Sequence, residues 1–127
     1  AGTGGSRAGA KVAGEAAGAV GIIPDPMGAT GSSISAAADI YYAEGMQPPS
    51  KVILMNLIVT PQYLKKVTMR HPEAEVYAVR LDRGLSPPDV LQTVPGERWD
   101  EENGLDDKQY IVPGGGGFGE IMNNAYV

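Results

Sequence analysis

One stretch constrains this chain most strongly: an apolar run that ends in an acid and is followed by small and hydroxyl-bearing residues. Residues 21–25 read Gly-Ile-Ile-Pro-Asp, and residues 26–33 read Pro-Met-Gly-Ala-Thr-Gly-Ser-Ser. This order predicts a buried strand, a tight loop and the start of a helix. The free amides of the helix's first turn carry a partial positive charge, so the stretch predicts an anion site.

Two residue types in this loop favour close contact with a ligand. Gly28 and Gly31 are predicted to adopt left-handed backbone conformations and to let a ligand approach the main chain. Thr30, Ser32 and Ser33 are candidates for the helix N-cap and for hydroxyl donors. For this stretch alone, an ordinary strand-to-helix turn with its acid in an Asx-turn is the competing interpretation.

The same residues resemble a known family. The Asp-Pro-Met-x-Ala-Thr-Gly form of the loop is similar to the phosphoribosyl-pyrophosphate loop of type I phosphoribosyltransferases, and to the uracil phosphoribosyltransferases in particular. The resemblance implies an α/β fold, an open parallel Rossmann-like sheet with flanking helices. It also implies a catalytic role for Asp25 and a loop that binds ribose and phosphate. The residues of that implied site are Asp25, Pro26, Met27, Gly28, Ala29, Thr30, Gly31, Ser32 and Ser33.

The middle of the chain alternates apolar strands with amphipathic helices. Helices are predicted over residues 34–46 and 61–70, and strands over residues 51–60 and 75–81. The strand at 51–60 lacks alternation, which predicts a central strand covered on both faces. Repeated strand–helix units favour an open parallel sheet, in which ligands bind beyond the carboxyl ends of the strands.

Two polar residues stand out in this part of the chain. Asn56 interrupts an apolar strand, and we interpret it as a structural amide with satisfied hydrogen bonds, with an edge or functional pocket as the alternative. His71 precedes Pro72 where a helix is predicted to end. It is therefore interpreted as a cap or a surface group and not as a catalytic base.

A glycine-rich segment near the end of the chain resembles the family's uracil-recognition loop. Residues 110–120 read Tyr-Ile-Val-Pro-Gly-Gly-Gly-Gly-Phe-Gly-Glu. Main chain of this kind can pair with the carbonyl and N–H groups of uracil and reject the amino group of cytosine. By resemblance, Ile111 supplies a main-chain contact, and Gly116, Gly117 and Phe118 line the base site. The family has an aspartate near the ribose diphosphate where this chain has Gly117, while Glu120 keeps its second acid.

The first twenty residues have two interpretations. Their glycine and alanine content is typical of a flexible leader, but Ser6-Arg7-Ala8-Gly9 resembles the family's pyrophosphate loop, in which Arg7 would hold a diphosphate oxygen. The family separates this arginine from its Asp-Pro-Met by several tens of residues, whereas here 17 residues lie between them. We therefore expect a naturally abridged chain, a fragment, or a sequence that lacks a mobile segment.

We predict a single domain over residues 1–127 with an acidic insertion at residues 86–109. The family passes from a Gly-Leu pair to its base loop within a few residues, so this segment departs from its pattern. Long loops of this kind are functional or disordered. Its acids are interpreted as a solvated surface, and Trp99 is expected to pack on its own domain or on a partner subunit.

Composition excludes several kinds of function. The chain has no cysteine and one histidine, so it forms no thiolate nucleophile, disulfide or histidine cluster. Its net charge of -5, without a basic stripe, argues against nucleic acid as a partner. No apolar run approaches the length of a membrane span, and no signal peptide is apparent, so we expect a soluble, cytoplasmic protein.

The resemblance implies a uracil phosphoribosyltransferase of pyrimidine salvage. Such an enzyme joins uracil to 5-phosphoribosyl 1-pyrophosphate and forms UMP and pyrophosphate, and a homo-oligomer is expected. Mg²⁺ is the implied cofactor, bound mainly through the substrate diphosphate and without a dedicated set of protein ligands. Two alternatives stay open: a catalytically weak relative that binds nucleotide or ribose phosphate as a regulator, and a fragment that serves only as an interaction module.

Overall fold

The computed structural model describes residues 17–43 and 47–115. Its strands are β1 (Val20–Pro24), β2 (Met27–Gly28), β3 (Lys51–Val59) and β4 (Glu75–Leu81), and its helices are α1 (Ser32–Tyr41), α2 (Pro61–Arg70) and α3 (Pro88–Leu91). Strands β1, β2 and β4 each pair with β3 in parallel. Because β4 pairs with β3 along residues 53–59, β1 and β2 share the opposite edge of this central strand. The predicted open parallel sheet with flanking helices is confirmed.

The two faces of the sheet differ in what covers them. Helices α1 and α2 pack on one face, where the buried core consists of Ile34, Val52, Leu54, Val59, Tyr63 and Val67. The prediction that β3 is covered on both faces is wrong for the described residues. Met55 and Leu57 remain 49% and 52% exposed, because both long helices of the described ranges lie on the other face.

Helix α1 begins two residues earlier than predicted and ends at Tyr41 instead of residue 46. Its N-cap is Gly31, at φ 77, whose carbonyl accepts the first helical hydrogen bond from the Ser35 amide at 3.1 Å. The prediction of a hydroxyl N-cap is therefore wrong: Thr30 precedes the cap, and the two serines at 32 and 33 lie in the first turn. Gly45, the predicted helix stop, lies outside the described residues.

Helix α2 occupies the predicted range, Pro61–Arg70, and its N-cap is Thr60, whose hydroxyl accepts from the Tyr63 amide at 3.0 Å. This cap is also why β3 ends at Val59, one residue before the predicted end. His71 caps the other end, as expected, and its amide donates to Val67 at 2.8 Å. The surface interpretation of His71 is wrong, because its ring is buried and stacks on Tyr42 with 5.5 Å between centroids.

The acidic insertion is more ordered than the sequence indicated. It contains the short helix α3, and Arg83 ties it to the sheet by donating to the Val90 carbonyl at 3.2 Å and to the Glu102 carboxylate at 3.1 Å. Glu102 is buried, so the interpretation of all its acids as solvated surface is wrong at this residue. Trp99 is partly exposed and lines a cavity of about 620 Å³ between α2 and residues 99–109. Within the described ranges, no helix is long and apolar enough to cross a membrane.

Candidate functional site

The acid of the predicted phosphate loop lies where β1 ends and is attached to the central strand through its backbone. The Asp25 amide donates to the Met55 carbonyl at 2.9 Å. The next carbonyl, that of Pro26, accepts from the amides of Leu57 and Ile58 at 3.1 and 3.0 Å. The chain therefore leaves β1 and re-enters the sheet as β2 without detaching from β3, which fixes the position of the acid at the carboxyl end of the strands.

The far side of the loop is held by the residue that caps α2. The Thr60 amide donates to the Gly28 carbonyl at 3.0 Å, and the Thr60 hydroxyl donates to the Ala29 carbonyl at 2.5 Å. Thr60 is buried, so water does not compete for these bonds. Thr60 is not among the site residues predicted from the sequence, although a threonine before a proline at the start of a helix is a recognisable capping signal.

Asp25 is half-buried and oriented within its own turn. Its Oδ1 atom accepts from the Met27 amide at 3.2 Å, so the Asx-turn that competed with the functional interpretation is present. Burial raises the pKa of the Asp25 carboxyl, and the hydrogen bond from Met27 opposes that shift. The turn and the functional interpretation are compatible, because one oxygen fixes the carboxylate while the other can face a ligand.

Two buried polar side chains support Asp25 from behind. Asn56 donates through Nδ2 to the Asp25 carbonyl at 2.6 Å, and the Tyr63 hydroxyl donates to Asn56 Oδ1 at 3.0 Å. Burial raises the pKa of Tyr63 to about 12, so this hydroxyl stays protonated. Asn56 is a satisfied structural amide, as interpreted from the sequence. The link to Tyr63 was not predicted, because it joins a strand to a helix through side chains alone.

The two loop glycines serve different purposes. Gly31 has the predicted left-handed conformation, with φ 77. The same prediction is wrong for Gly28, which has no positive φ. A Cβ atom at Gly28 would lie 2.9 Å from the Tyr63 ring and from the Val59 side chain, so glycine is needed there for close packing of the sheet on α2.

The hydroxyl-bearing part of the loop lies at the start of α1. The Ser32 amide donates to Thr30 Oγ1 at 3.3 Å, and Thr30 Oγ1 donates to Ser32 Oγ at 3.2 Å. Ser32 and Ser33 are exposed, and the first turn of α1 contains no acid. Amides in a first helical turn have no backbone acceptor one turn earlier, so an anion can bind here and compete at most with the long bond from Ser32 to Thr30.

The segment that resembles the uracil loop is described as far as residue 115. Ile111 is buried and forms an antiparallel bridge with Leu105. The next residue, Val112, accepts from the Gly84 amide and donates to the Gly104 carbonyl, both at 2.9 Å. The beginning of the loop is therefore fixed against the end of β4 and the end of the insertion. Five predicted residues lie outside the described ranges: Arg7, Gly116, Gly117, Phe118 and Glu120.

The first turn of α2 connects the two predicted segments. Thr60 holds the phosphate loop, while Gln62 Oε1 accepts from the Gly104 amide at 3.1 Å and its Nε2 donates to Asn103. Gly104 in turn accepts from Val112 in the glycine-rich segment. The phosphate loop and the start of the predicted base loop are thus linked, through α2 and Gly104, at the carboxyl edge of the sheet. Gln62 was not predicted, since nothing in the sequence indicates its distant partners.

The cavity beside the insertion does not coincide with the phosphate loop. Its lining includes Asp100, Glu101, Glu102, Asp106 and Asp107, and it contains none of the site residues predicted from the sequence. Such a concentration of carboxylates repels a diphosphate. We therefore place the candidate site at the loop over residues 25–33 and not in this cavity.

The residues at the loop can also be tested for fit to a magnesium ion. Within the described ranges, no group of three acidic, histidine or cysteine side chains is arranged to hold a metal. Asp25 is the acid of the loop itself. One carboxylate beside an anion site suits a Mg²⁺ ion that keeps its waters and is held mainly by substrate phosphates.

Comparisons with known proteins identify the family of the chain. The family described as "Uracil phosphoribosyltransferase" matches residues 10–97. The curated uracil phosphoribosyltransferase of Acinetobacter baylyi is 36% identical over 110 residues, covering 87% of this chain and 41% of the relative. That of Caldanaerobacter subterraneus subsp. tengcongensis is 36% identical over 101 residues, covering 80% of this chain and 37% of the relative.

Among solved structures, the AQ2163 protein from Aquifex aeolicus is similar in fold, with a TM-score of 0.65 and 27% identity. The similarity covers 90% of this chain and 44% of that protein. The chain spans about two fifths of the length of these curated relatives. With the family match extending over most of its residues, the chain belongs to the uracil phosphoribosyltransferase family.

Proposed function

We propose that the protein is a uracil phosphoribosyltransferase that forms UMP and pyrophosphate from uracil and 5-phosphoribosyl 1-pyrophosphate. The observation that carries the proposal is the loop over residues 25–33. It combines a fixed, half-buried Asp25 with exposed hydroxyls at a helix start, at the carboxyl edge of a parallel sheet. The family of the chain supports the choice of base and of ribose donor.

The reaction forms a bond between uracil N1 and ribose C1 and breaks the bond from C1 to the diphosphate oxygen, which leaves with the bonding electrons. The proton of uracil N1 is released to solvent. The reaction needs no covalent nucleophile. In our proposal Asp25 binds the ribose hydroxyls and offsets the positive charge that develops on the ring. The amides and hydroxyls of residues 29–33 hold the 5'-phosphate, with Pro26, Met27 and Gly28 shaping the loop.

The base is held, in this proposal, by main chain from the glycine-rich segment. Ile111 supplies a backbone contact, and Gly116, Gly117 and Phe118 line the base. The support for Ile111 is that its neighbour Val112 is hydrogen-bonded on both sides, which keeps this stretch in one conformation. Fixed donors and acceptors favour uracil over cytosine because the wrong base leaves them unpaired.

Arg7 and Mg²⁺ belong to the diphosphate end of the proposed site. A guanidinium at Arg7 would contact a diphosphate oxygen, and Gly117 would lie nearby. When bound, Mg²⁺ supplies positive charge that stabilises the leaving diphosphate. A homo-oligomer and a cytoplasmic location remain predictions.

The second candidate is a relative that binds nucleotide or ribose phosphate without efficient turnover, as a regulator. One specific feature favours it: Gly117 stands where the family has an aspartate. A missing carboxylate at the diphosphate end would weaken catalysis more than binding of UMP.

The test combines turnover with binding. Purified protein is incubated with labelled uracil, 5-phosphoribosyl 1-pyrophosphate and Mg²⁺, and UMP binding is measured by calorimetry. We expect UMP formation that depends on both substrates. Binding without turnover, together with turnover in Gly117→Asp, would favour the regulator. Absence of both UMP binding and turnover would contradict the family-based assignment for this chain.

A further inference from the structure

One cation approaches the phosphate loop from a neighbouring element. Lys66, in the second turn of α2, donates through Nζ to Ser32 Oγ at 2.7 Å. Ser32 Oγ also accepts from Thr30, so the ammonium group joins the hydroxyl cluster at the start of α1. The ammonium lies where an anion bound to these hydroxyls would meet it.

The stem of Lys66 is placed by helix packing. A Cβ atom at Gly31 would lie 3.3 Å from the Tyr63 carbonyl, 3.4 Å from Val67 Cγ2 and 3.5 Å from Lys66 Cβ. Helix α2 therefore passes directly over the N-cap of α1, and glycine at residue 31 permits that approach. Lys66 starts from this close contact, so its side chain needs little rearrangement to reach the loop.

In the part of the chain that the structure describes, the ammonium group of Lys66 also has no acidic partner. In the described ranges, six other cationic side chains form ion pairs with acids: Lys51, Lys65, Arg70, Arg80, Arg83 and Arg98. Lys66 forms none there, and the group that accepts its hydrogen bond is a neutral hydroxyl. An ammonium without a carboxylate partner beside hydroxyls and first-turn amides attracts an anion more strongly than one that is already neutralised.

We propose that Lys66 binds the 5'-phosphate of the substrate and of UMP, as a cation that acts together with residues 30–33. The inference rests on the proposed function for the identity of the ligand, but not for the presence of an anion site. The phosphate replaces Ser32 as the main partner of the ammonium. Lys66 is a binding residue, and its loss should weaken phosphate-bearing ligands selectively.

The chain provides a matched control in the adjacent residue. Lys65 has the same side chain on the same helix, but it pairs with Asp100 in the insertion. We would compare Lys66→Met, Lys66→Arg and Lys65→Met with the wild type. Calorimetry measures the affinity of each protein for UMP and for uridine. Binding of inorganic phosphate is followed in a titration through the amide chemical shifts of residues 30–33.

We expect Lys66→Met to lower the affinity for UMP about tenfold. This is the lower end of the range for losing a hydrogen bond to a charged group, because the lysine is exposed. The salt dependence of UMP binding should fall in Lys66→Met, and its affinity for uridine should stay the same as in the wild type. Lys66→Arg should restore most of the affinity for UMP. Lys65→Met should bind UMP like the wild type. Equal weakening by the two methionine variants would overturn the inference, since it would reflect overall charge.

The outcomes separate this inference from the proposed function. In one outcome UMP does not bind, but phosphate shifts the amide signals of residues 30–33 in the wild type and shifts them less in Lys66→Met. This outcome supports Lys66 as an anion-binding residue and contradicts the proposed function. If UMP binds equally to the wild type and Lys66→Met, the result supports the proposed function and contradicts a phosphate-binding role of Lys66. If phosphate leaves the wild-type amides unchanged and UMP does not bind, both are overturned.

Discussion

Asp82 Oδ2 accepts a hydrogen bond from the Gly114 amide at 2.6 Å, and the two residues are 32 positions apart in the chain. Asp82 follows β4 directly and is 1% exposed. Its other oxygen pairs with Arg80. A buried carboxylate at the end of a strand therefore fixes the glycine-rich segment that we propose to hold the base.

We expect Asp82→Ala to free this segment. Removing the acceptor leaves a partly buried amide unpaired, so the free energy of unfolding should fall by about 1–3 kcal/mol. The Gly114 amide should exchange faster with solvent, and the KM for uracil should rise more than the KM for the ribose donor. Asp82→Asn should recover part of the protection, because its amide oxygen can still accept from Gly114. Asp89→Ala, at an exposed acid of the insertion, serves as the control.

Unchanged exchange at Gly114 in Asp82→Ala would contradict this role. An equal rise in both KM values would instead indicate a general loss of structure.

Asp25→Asn should abolish turnover and leave UMP affinity largely intact. The amide can keep the Asx-turn to Met27, but it cannot offset positive charge on the ribose. Single-turnover measurements test the first expectation and calorimetry the second. Equal single-turnover rates in the variant and the wild type would remove Asp25 from the mechanism.

The same substitution should affect stability with a definite sign. Burial raises the pKa of Asp25 above its ordinary value of 3.8, so the folded state favours the protonated form. The stability from this group is present below pH 3.8 and is lost as the pH rises through the raised pKa. Asp25→Asn should therefore be more stable than the wild type at neutral pH, and this difference should disappear in acid. Thermal unfolding followed by circular dichroism at both pH values measures it.

Tyr63→Phe should destabilise the support behind Asp25. The substitution leaves Asn56 Oδ1 without its buried donor. We therefore expect the free energy of unfolding, measured with urea, to fall by about 1–3 kcal/mol. The pKa of Tyr63 is raised from 10.0 to about 12, so its contribution to stability falls as the pH rises through that range. The variant should lose less stability than the wild type on going from pH 10 to 12. Tyr77→Phe, at a side chain that is 58% exposed, should change neither measurement.

Gly28→Ala should destabilise the fold by about 1–3 kcal/mol, because its methyl group would overpack against Tyr63 and Val59. Gly21→Ala is the matched control in the preceding strand, where a Cβ atom would meet nothing closer than 3.8 Å. Thermal unfolding of both variants measures the difference. A stable Gly28→Ala protein that still binds UMP would show that the loop can shift away from α2.

The order of the elements could be predicted from the sequence because its signals are local. The apolar run over residues 51–59, Pro61 at the start of α2 and the alternation over residues 75–81 each act within one element. The loop at Asp25 was recognised in the same way, since its residue types occur at fixed and adjacent positions. Patterns of this length determine strands, helices and a contiguous binding loop.

Tertiary structure alone decided which distant groups hold that loop and the glycine-rich segment. Asn56 and Thr60 hold its backbone across 31 residues, Lys66 reaches Ser32 across 34, and Asp82 holds Gly114 across 32. It also decided that Gly28 is required by packing and that His71 is buried. These contacts depend on how α2 lies against α1 and β3, which is set by the fit of the whole core. No local pattern contains that information, because hydrogen bonds between side chains far apart in sequence leave no periodicity.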